Sequence, residues 1–324
     1  MEAAVITTYR CDNRCLMCNI WRHPTKIEEE FSPALLEKLP DLRFCNITGG
    51  EPFLREDIVD IARIIRKKAR RVVISTNGYA TDRIIDLVEK VKGIGIRISL
   101  EGLPSANDEL RGRRDCFDHG LRTLLELKQR GIKDIGFAVT VSDRNAGDMI
   151  ELYHLARYLN VEFATAVTHN SYYFHKSDNR IQDKDKAIAA FEILIRELLA
   201  TWRIKNWFRA YFNQGLINRI RGESRPLPCR AGTDLFFLDP FGEIRPCNGM
   251  EPDTWLESMG NLHKAPFEEI WSSEKARLIR EMVDTCPRRC WMVGTASPAM
   301  KKAPWRPALW VVRNKWKSLF GNQS

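Results

Sequence analysis

Six times in its first half this chain alternates a short β-branched run with an amphipathic stretch, and that rhythm restricts the fold more than any other feature. The strand candidates are Ala3–Thr8, Phe44–Thr48, Arg71–Thr76, Ile94–Leu100, Asp134–Val141 and Val161–Val167. Between them the spacing of apolar residues predicts helices over Pro33–Leu39, Ile58–Lys67, Asp82–Lys90, Phe117–Arg130 and Asn145–Leu159. Strand, helix, strand in repetition builds a parallel sheet with right-handed crossovers. Period alone leaves a doubly wound sheet and an incomplete barrel both open, because each buries its strands on two faces. A length of 324 residues accommodates one unit of barrel size or two compact domains.

From about His169 the rhythm changes. A polar, aromatic stretch leads into a helix near Lys186–Trp202 and then a basic segment ending at the two prolines Pro226 and Pro228, which read as a hinge. Beyond the hinge the chain reads as turns, a hairpin around Phe236–Ile244 and one helix near Phe267–Val283. The expected divisions are therefore 1–225, 226–295 and a tail over 296–324. Met1 to Thr8 lacks the basic start and cleavage site of a signal peptide, and no run is long enough to span a bilayer. A cytoplasmic location is expected.

Nine cysteines are present, and in such a setting clustered cysteines point to metal rather than to disulfides. Seven fall into short-range spacings; Cys45 sits inside a predicted strand as a small core residue, and Cys116 lies in the loop Gly112–Gly120. Cys11, Cys15 and Cys18 form C-x3-C-x2-C directly after the first strand. Three thiolates can wrap one corner of a cubane iron–sulfur cluster and leave the fourth iron open to a small molecule. A structural zinc site would be closed by four ligands.

This motif resembles that of the radical S-adenosylmethionine (SAM) superfamily, and further motifs of that family follow in order. Gly49-Gly50-Glu51-Pro52 stands after the second strand, where glycines let the backbone approach the methionine end of SAM. Thr76 and Asn77 end the third strand, Ser99 and Glu101 the fourth, and Arg111 lies in the polar stretch that follows. Met17 takes the place where the family often has an aromatic residue near the adenine. The resemblance covers residues 3 to 167 and implies an α/β fold, a partial (β/α)6 TIM-like barrel, with an open-iron [4Fe-4S] cluster that cleaves SAM to a 5′-deoxyadenosyl radical.

Cys229 and Cys247, with Gly242 between them, and the later pair Cys286 and Cys290 resemble the Twitch and SPASM extensions of that family. Four thiolates close one cluster, so the resemblance implies a single auxiliary [4Fe-4S] cluster; a zinc site or buried structural thiols are the alternatives.

Three residues are candidates for substrate chemistry. Cys116 could give a hydrogen atom to a substrate radical, making an epimerase. His169 and Tyr172 follow the sixth strand and could act as a base or bind hydroxyls, or pack the domain junction. In the tail, Trp305, Leu309, Val312, Trp316 and Leu319 recur at helical spacing, accompanied by Lys301, Lys302, Arg306, Arg313, Lys315 and Lys317 with no acidic residue among them. Such a pattern fits an interfacial membrane helix or a helix docked on the barrel by its apolar stripe.

The net charge of +9 does not choose among acidic substrates, nucleic acid and anionic membranes. The reading taken forward is oxidation or epimerisation of a small, sugar-like or lipid-linked substrate, with a flavodoxin or ferredoxin as electron donor. Maturation of a ribosomal peptide comes second; the chain starts almost at its first strand, without room for a leader-binding domain. A non-catalytic iron–sulfur or zinc protein that binds nucleic acid comes last.

Overall fold

Each of the six β-branched runs is a strand in the computed structural model, which describes residues 1–249, 258–288 and 290–320, with the side chains of 317–320 left out. They are β1 (Glu2–Ile6), β2 (Leu42–Thr48), β3 (Ala69–Thr76), β4 (Ile94–Ser99), β5 (Ile135–Val141) and β6 (Glu162–Val167). All pair in parallel and in sequence order, with Ile6 beside Thr48, Thr76 beside Ile98 and Val141 beside Val167. The connecting helices are α1 (Ile58–Lys68), α2 (Thr81–Lys90), α3 (Pro104–Arg111), α4 (Cys116–Gln129) and α5 (Ala146–Leu159). Val5, Cys45, Ile47, Ile74, Ile96 and Phe137 are fully buried in the core, Cys45 among them as expected. The ladder is a partial TIM-like barrel with one open side, and its registers bring the loops after every strand to one rim.

Three expectations require correction. Pro33–Lys38 is a 3-10 turn rather than an α-helix. The helix expected over Phe267–Val283 is two, α8 (Phe267–Ser272) and α9 (Glu274–Asp284), because the Ser273 side chain accepts from the Ala276 amide and caps a new start. The basic segment before the prolines is a full helix. It is α7 (Ile204–Arg221), and it follows α6 (Lys184–Ala200). Its apolar residues face β6, α6 and a C-terminal helix at once, so no single stripe marks it in the sequence.

Beyond the prolines, β7 (Leu235–Leu238) does not start a separate sheet. It pairs in parallel with β1, Glu2 beside Leu235 and Val5 beside Leu238, and the sheet continues through β8 (Glu243–Arg245) to β9 (Gly260–Asn261). Without β7 the first strand of the barrel would be a bare edge. The chain closes with α10 (Val293–Lys302) and α11 (Trp305–Phe320); the tail's last residues, 321–324, lie outside the described part. No described helix is long and apolar enough to cross a membrane.

Away from the rim, Asp134 ties three strands. Its carboxylate accepts from Arg71 Nε at 2.8 Å and Arg97 Nη2 at 2.5 Å. Burial opposes ionisation there, but the hydrogen bond from Arg71 and the charge of Arg97 outweigh it and hold the carboxyl well below its usual range. Asp134→Ala leaves the mostly buried Arg97 uncompensated, and urea denaturation at pH 7 is expected to record a loss of about 1–3 kcal/mol. Because the folded-state pKa is depressed, this contribution is present above the ordinary carboxylate range and lost as pH falls through and below it. The gap between wild type and variant therefore narrows on acidification.

Candidate active site at the barrel rim

The loop that leaves β1 is pressed between two turns. On one side, Gly50 N donates to Thr8 O at 2.7 Å and Glu51 N donates to Arg10 O at 2.8 Å. A Cβ on Gly50 would lie 2.2 Å from Arg10 O, so only glycine admits this approach. On the other side, Arg14 N donates to Arg111 O at 3.2 Å and Leu16 N to Leu110 O at 2.9 Å. There Gly112 adopts φ +61°, and a Cβ would stand 2.3 Å from Arg14 O. The clamp fixes Cys11, Cys15 and Cys18 at the rim.

These three thiols are half-buried and close enough to feel one another's charge. Burial pushes all three up, Cys18 to about 12. Such thiols are protonated on their own and ionise when a metal takes the proton's place. Arg111 provides the compensating charge: it lies within electrostatic reach of all three, and its buried Nε has no hydrogen-bond partner among the described residues. Its Nη1 donates to Glu101 at 3.1 Å, and Glu101 also accepts from Thr140 N at 2.6 Å. The donor set and the unpartnered Nε of Arg111 together suit an anionic thiolate cluster.

Glu51 turns inward instead of toward the rim. It accepts from Thr76 Oγ1 (2.8 Å), Asn77 N (2.7 Å) and Phe53 N (3.1 Å), which welds the glycine turn to the end of β3. Burial pushes its carboxyl up to about 7 despite these donors. Asn77 in turn donates to Asp12 and Asn13 of the cysteine loop. Ser99 is half-buried at the end of β4. Met17 is held through its carbonyl, which accepts from Asn179 at 3.0 Å. Cys116 is the first residue of α4 rather than part of a loop; it is fully buried, and its sulfur accepts from Asn13 at 3.3 Å.

Several supports carry no signal in the sequence, since each joins residues far apart along it. Tyr173 Oη donates to Gly49 O at 2.6 Å, and Arg10 is paired with the buried Glu30 at 2.9 Å. Arg10 adjoins Cys11, which is the one hint available.

Cys229, Cys247, Cys286 and Cys290 also converge, each pair reaching the others electrostatically. Beside them lies a cavity of about 210 Å³ walled by His169, Arg219, Arg288, Cys290 and Met292 among others. His169 Nδ1 donates to Val167 O at 3.1 Å, which leaves Nε2 as a lone-pair acceptor, buried and without a partner among the described residues. Burial, and next the charge of Arg219, push its pKa down to about 4. Tyr172 is not among the walls; its ring lies under Arg245, 5.9 Å away.

Residues 5–156 match the Radical SAM superfamily model, and 229–292 match SPASM, an iron–sulfur cluster-binding domain. The chain belongs to the radical SAM superfamily. This radical SAM protein accordingly uses SAM, a SAM-binding [4Fe-4S] cluster and an auxiliary cluster. It is 34% identical over 160 residues to Fe-coproporphyrin III synthase of Methanosarcina barkeri, covering 46% of this chain and 39% of that one. It is 27% identical over 298 residues to pre-heme d1 synthase of Dinoroseobacter shibae, covering 82% and 71%. It thus spans well under half of the first of these relatives. Among solved structures, Streptococcus suis SuiB bound to S-adenosylmethionine superposes with a TM-score of 0.66 at 18% identity, over 87% of this chain and 68% of that one. The radical SAM fold is shared at that distance.

The clamp predicts the outcome of one substitution. Gly112→Ala forces the cysteine loop off α3, and the reconstituted variant is expected to retain about four of the roughly eight irons that two cubanes hold. Iron analysis beside the wild type checks this; an undiminished count contradicts the clamp.

Proposed function

We propose that this radical SAM enzyme oxidises an alcohol carbon of an anionic substrate held in the cavity between His169 and Cys290. In this reading Cys11, Cys15 and Cys18 ligate the SAM cluster, and Cys229, Cys247, Cys286 and Cys290 ligate the auxiliary one. Gly49, Gly50, Pro52, Ser99 and Met17 line the SAM side; Glu51, Thr76 and Asn77 hold that wall, while Glu101 orients Arg111. When bound, SAM and the clusters supply a 5′-deoxyadenosyl radical that takes one hydrogen atom and an acceptor for the second electron, fed initially by a flavodoxin or ferredoxin.

The observation that carries the reading is the cavity wall. Cys290 borders it, which sets a substrate beside the auxiliary cluster. Arg219 forms no ion pair among the described residues, and with Arg288 it gives the cavity a cationic side suited to a carboxylate or phosphate. His169 is the wall's acceptor for a substrate hydroxyl, and a bound anion that offsets Arg219 raises its basicity so that it takes the proton as the carbon is oxidised. About 210 Å³ admits a sugar-sized group or a single side chain. Epimerisation through Cys116 is disfavoured, since that thiol is sealed beneath Asn13.

Peptide maturation is the second reading. It is supported by 25% identity over 316 residues to the subtilosin biosynthesis protein AlbA of Bacillus subtilis, of which this chain covers 65%. An acidic side chain of a peptide would present the same anion to the cavity.

The test is 5′-deoxyadenosine release by anaerobically reconstituted protein given SAM, a strong reductant, and a panel of sugar phosphates, hydroxy acids and acidic peptides. Cys15→Ala is expected to abolish release. Arg219→Gln should raise KM for the stimulating substrate by about tenfold or more with kcat within about threefold, as for a lost charged hydrogen bond in ground and transition state alike. Stimulation by uncharged alcohols alone, or an unchanged KM, sinks the anionic reading. His169→Asn is expected to lower kcat by about 10²-fold or more.

A further inference from the structure

The tail helix α11 has two apolar faces: one docks on the protein, and the residues of the other are largely exposed. Pro307 and Val311 are buried and Trp310 is half-buried, its ring meeting Tyr211 of α7 edge-on at 5.7 Å; these residues dock the helix on α7 and α6. At 3.6 residues per turn, Trp305, Leu309, Val312 and Trp316 fall on the opposite side, roughly half a turn away. They are 58%, 63%, 65% and 65% exposed. The stripe seen in the sequence is therefore not the docking face.

The exposed surface extends past the helix. Lys315 Nζ stands 5.1 Å over the ring of Trp202, which is 89% exposed, and Ile204, two residues on, is 64% exposed. On α11 itself charge is of one sign. Lys301 and Lys302 are spent on Glu2 and Asp234 of the body. Arg306 and Arg313 flank the stripe and form no ion pair among the described residues, and α11 contains no acidic residue at all. Exposed tryptophans beside arginines match the region where lipid headgroups meet acyl chains, which takes an indole's apolar body and keeps guanidinium groups at the anionic surface.

We propose that α11, together with Trp202 and Ile204, seats the protein on an anionic lipid surface, with Trp305, Leu309, Val312 and Trp316 inserted and Arg306 and Arg313 on the headgroups. The helix lies in the interface and does not span it. This surface is separate from the cavity at His169, so the inference stands or falls apart from the substrate reading.

Flotation of the full, cluster-loaded chain with vesicles tests it. Wild type is expected to float with phosphatidylcholine vesicles containing about 30% phosphatidylglycerol and to bind pure phosphatidylcholine at least tenfold more weakly, with binding lost at high salt. The triple variant Trp305→Ser, Leu309→Ser, Trp316→Ser should lose at least tenfold in binding to the anionic vesicles while keeping the wild-type melting temperature. Arg306→Gln with Arg313→Gln, which leaves every apolar residue in place, should lose about 30-fold on the same vesicles. Failure of wild type to float, or binding at the wild-type level by either variant, overturns the proposal. So does sedimentation showing a lipid-free dimer that the triple variant abolishes, which would assign the face to a second copy.

Discussion

Backbone against backbone, with no side chain between, is how the cysteine loop is held, and the rest of the site depends on it. Gly50 and Gly112 let the loop's carbonyls at Arg10 and Arg14 come closer than any Cβ would allow. Main-chain hydrogen bonds then fix the loop on both flanks. A motif of three cysteines would otherwise be a flexible excursion from β1, and thiols raised by burial would stay protonated. Holding them together at one rim, beside Arg111, is what makes them a ligand set.

Charge is handled differently at two levels of the barrel. Below the rim, Asp134 is matched by Arg71 and Arg97 and serves stability. At the rim, Glu101 accepts from Nη1 of Arg111, whose Nε has no hydrogen-bond partner among the described residues and whose charge reaches the thiols. An unsatisfied buried donor costs on the order of 1–3 kcal/mol, a cost that an anionic cluster would offset. The rim is incomplete as polypeptide alone.

The auxiliary segment is fixed to this arrangement by pairing rather than by a linker. β7 hydrogen-bonds along β1, so the strand that delivers Cys11 also anchors the hairpin leading to Cys247. Ser171, after β6, donates to Asn248 O, and the loop carrying His169 is thereby joined to the same segment. The cavity at Cys290 lies beside the second attachment, with His169 and Gly249 both in its wall.

Much of this was legible in one dimension. The six strands, four of the barrel's five helices, and the cysteine and glycine motifs follow from local periodicity and from residue types that few other contexts require. Helix α3 escaped because its eight residues, rich in Ser, Asn, Asp and Glu, bury too little to mark a stripe. Helix α7 escaped for the opposite reason, being apolar on several sides. Residue type told which groups could act at the site: thiols, glycines, the Glu101 and Arg111 charges. Direction was decided by the tertiary structure, which turned Glu51 inward, sealed Cys116 under Asn13, set His169 in the wall of a cavity and faced Trp305 and Trp316 outward while Trp310 docked. Local sequence sets which surfaces a segment can bury, but which surface it does bury depends on what distant segments press against it.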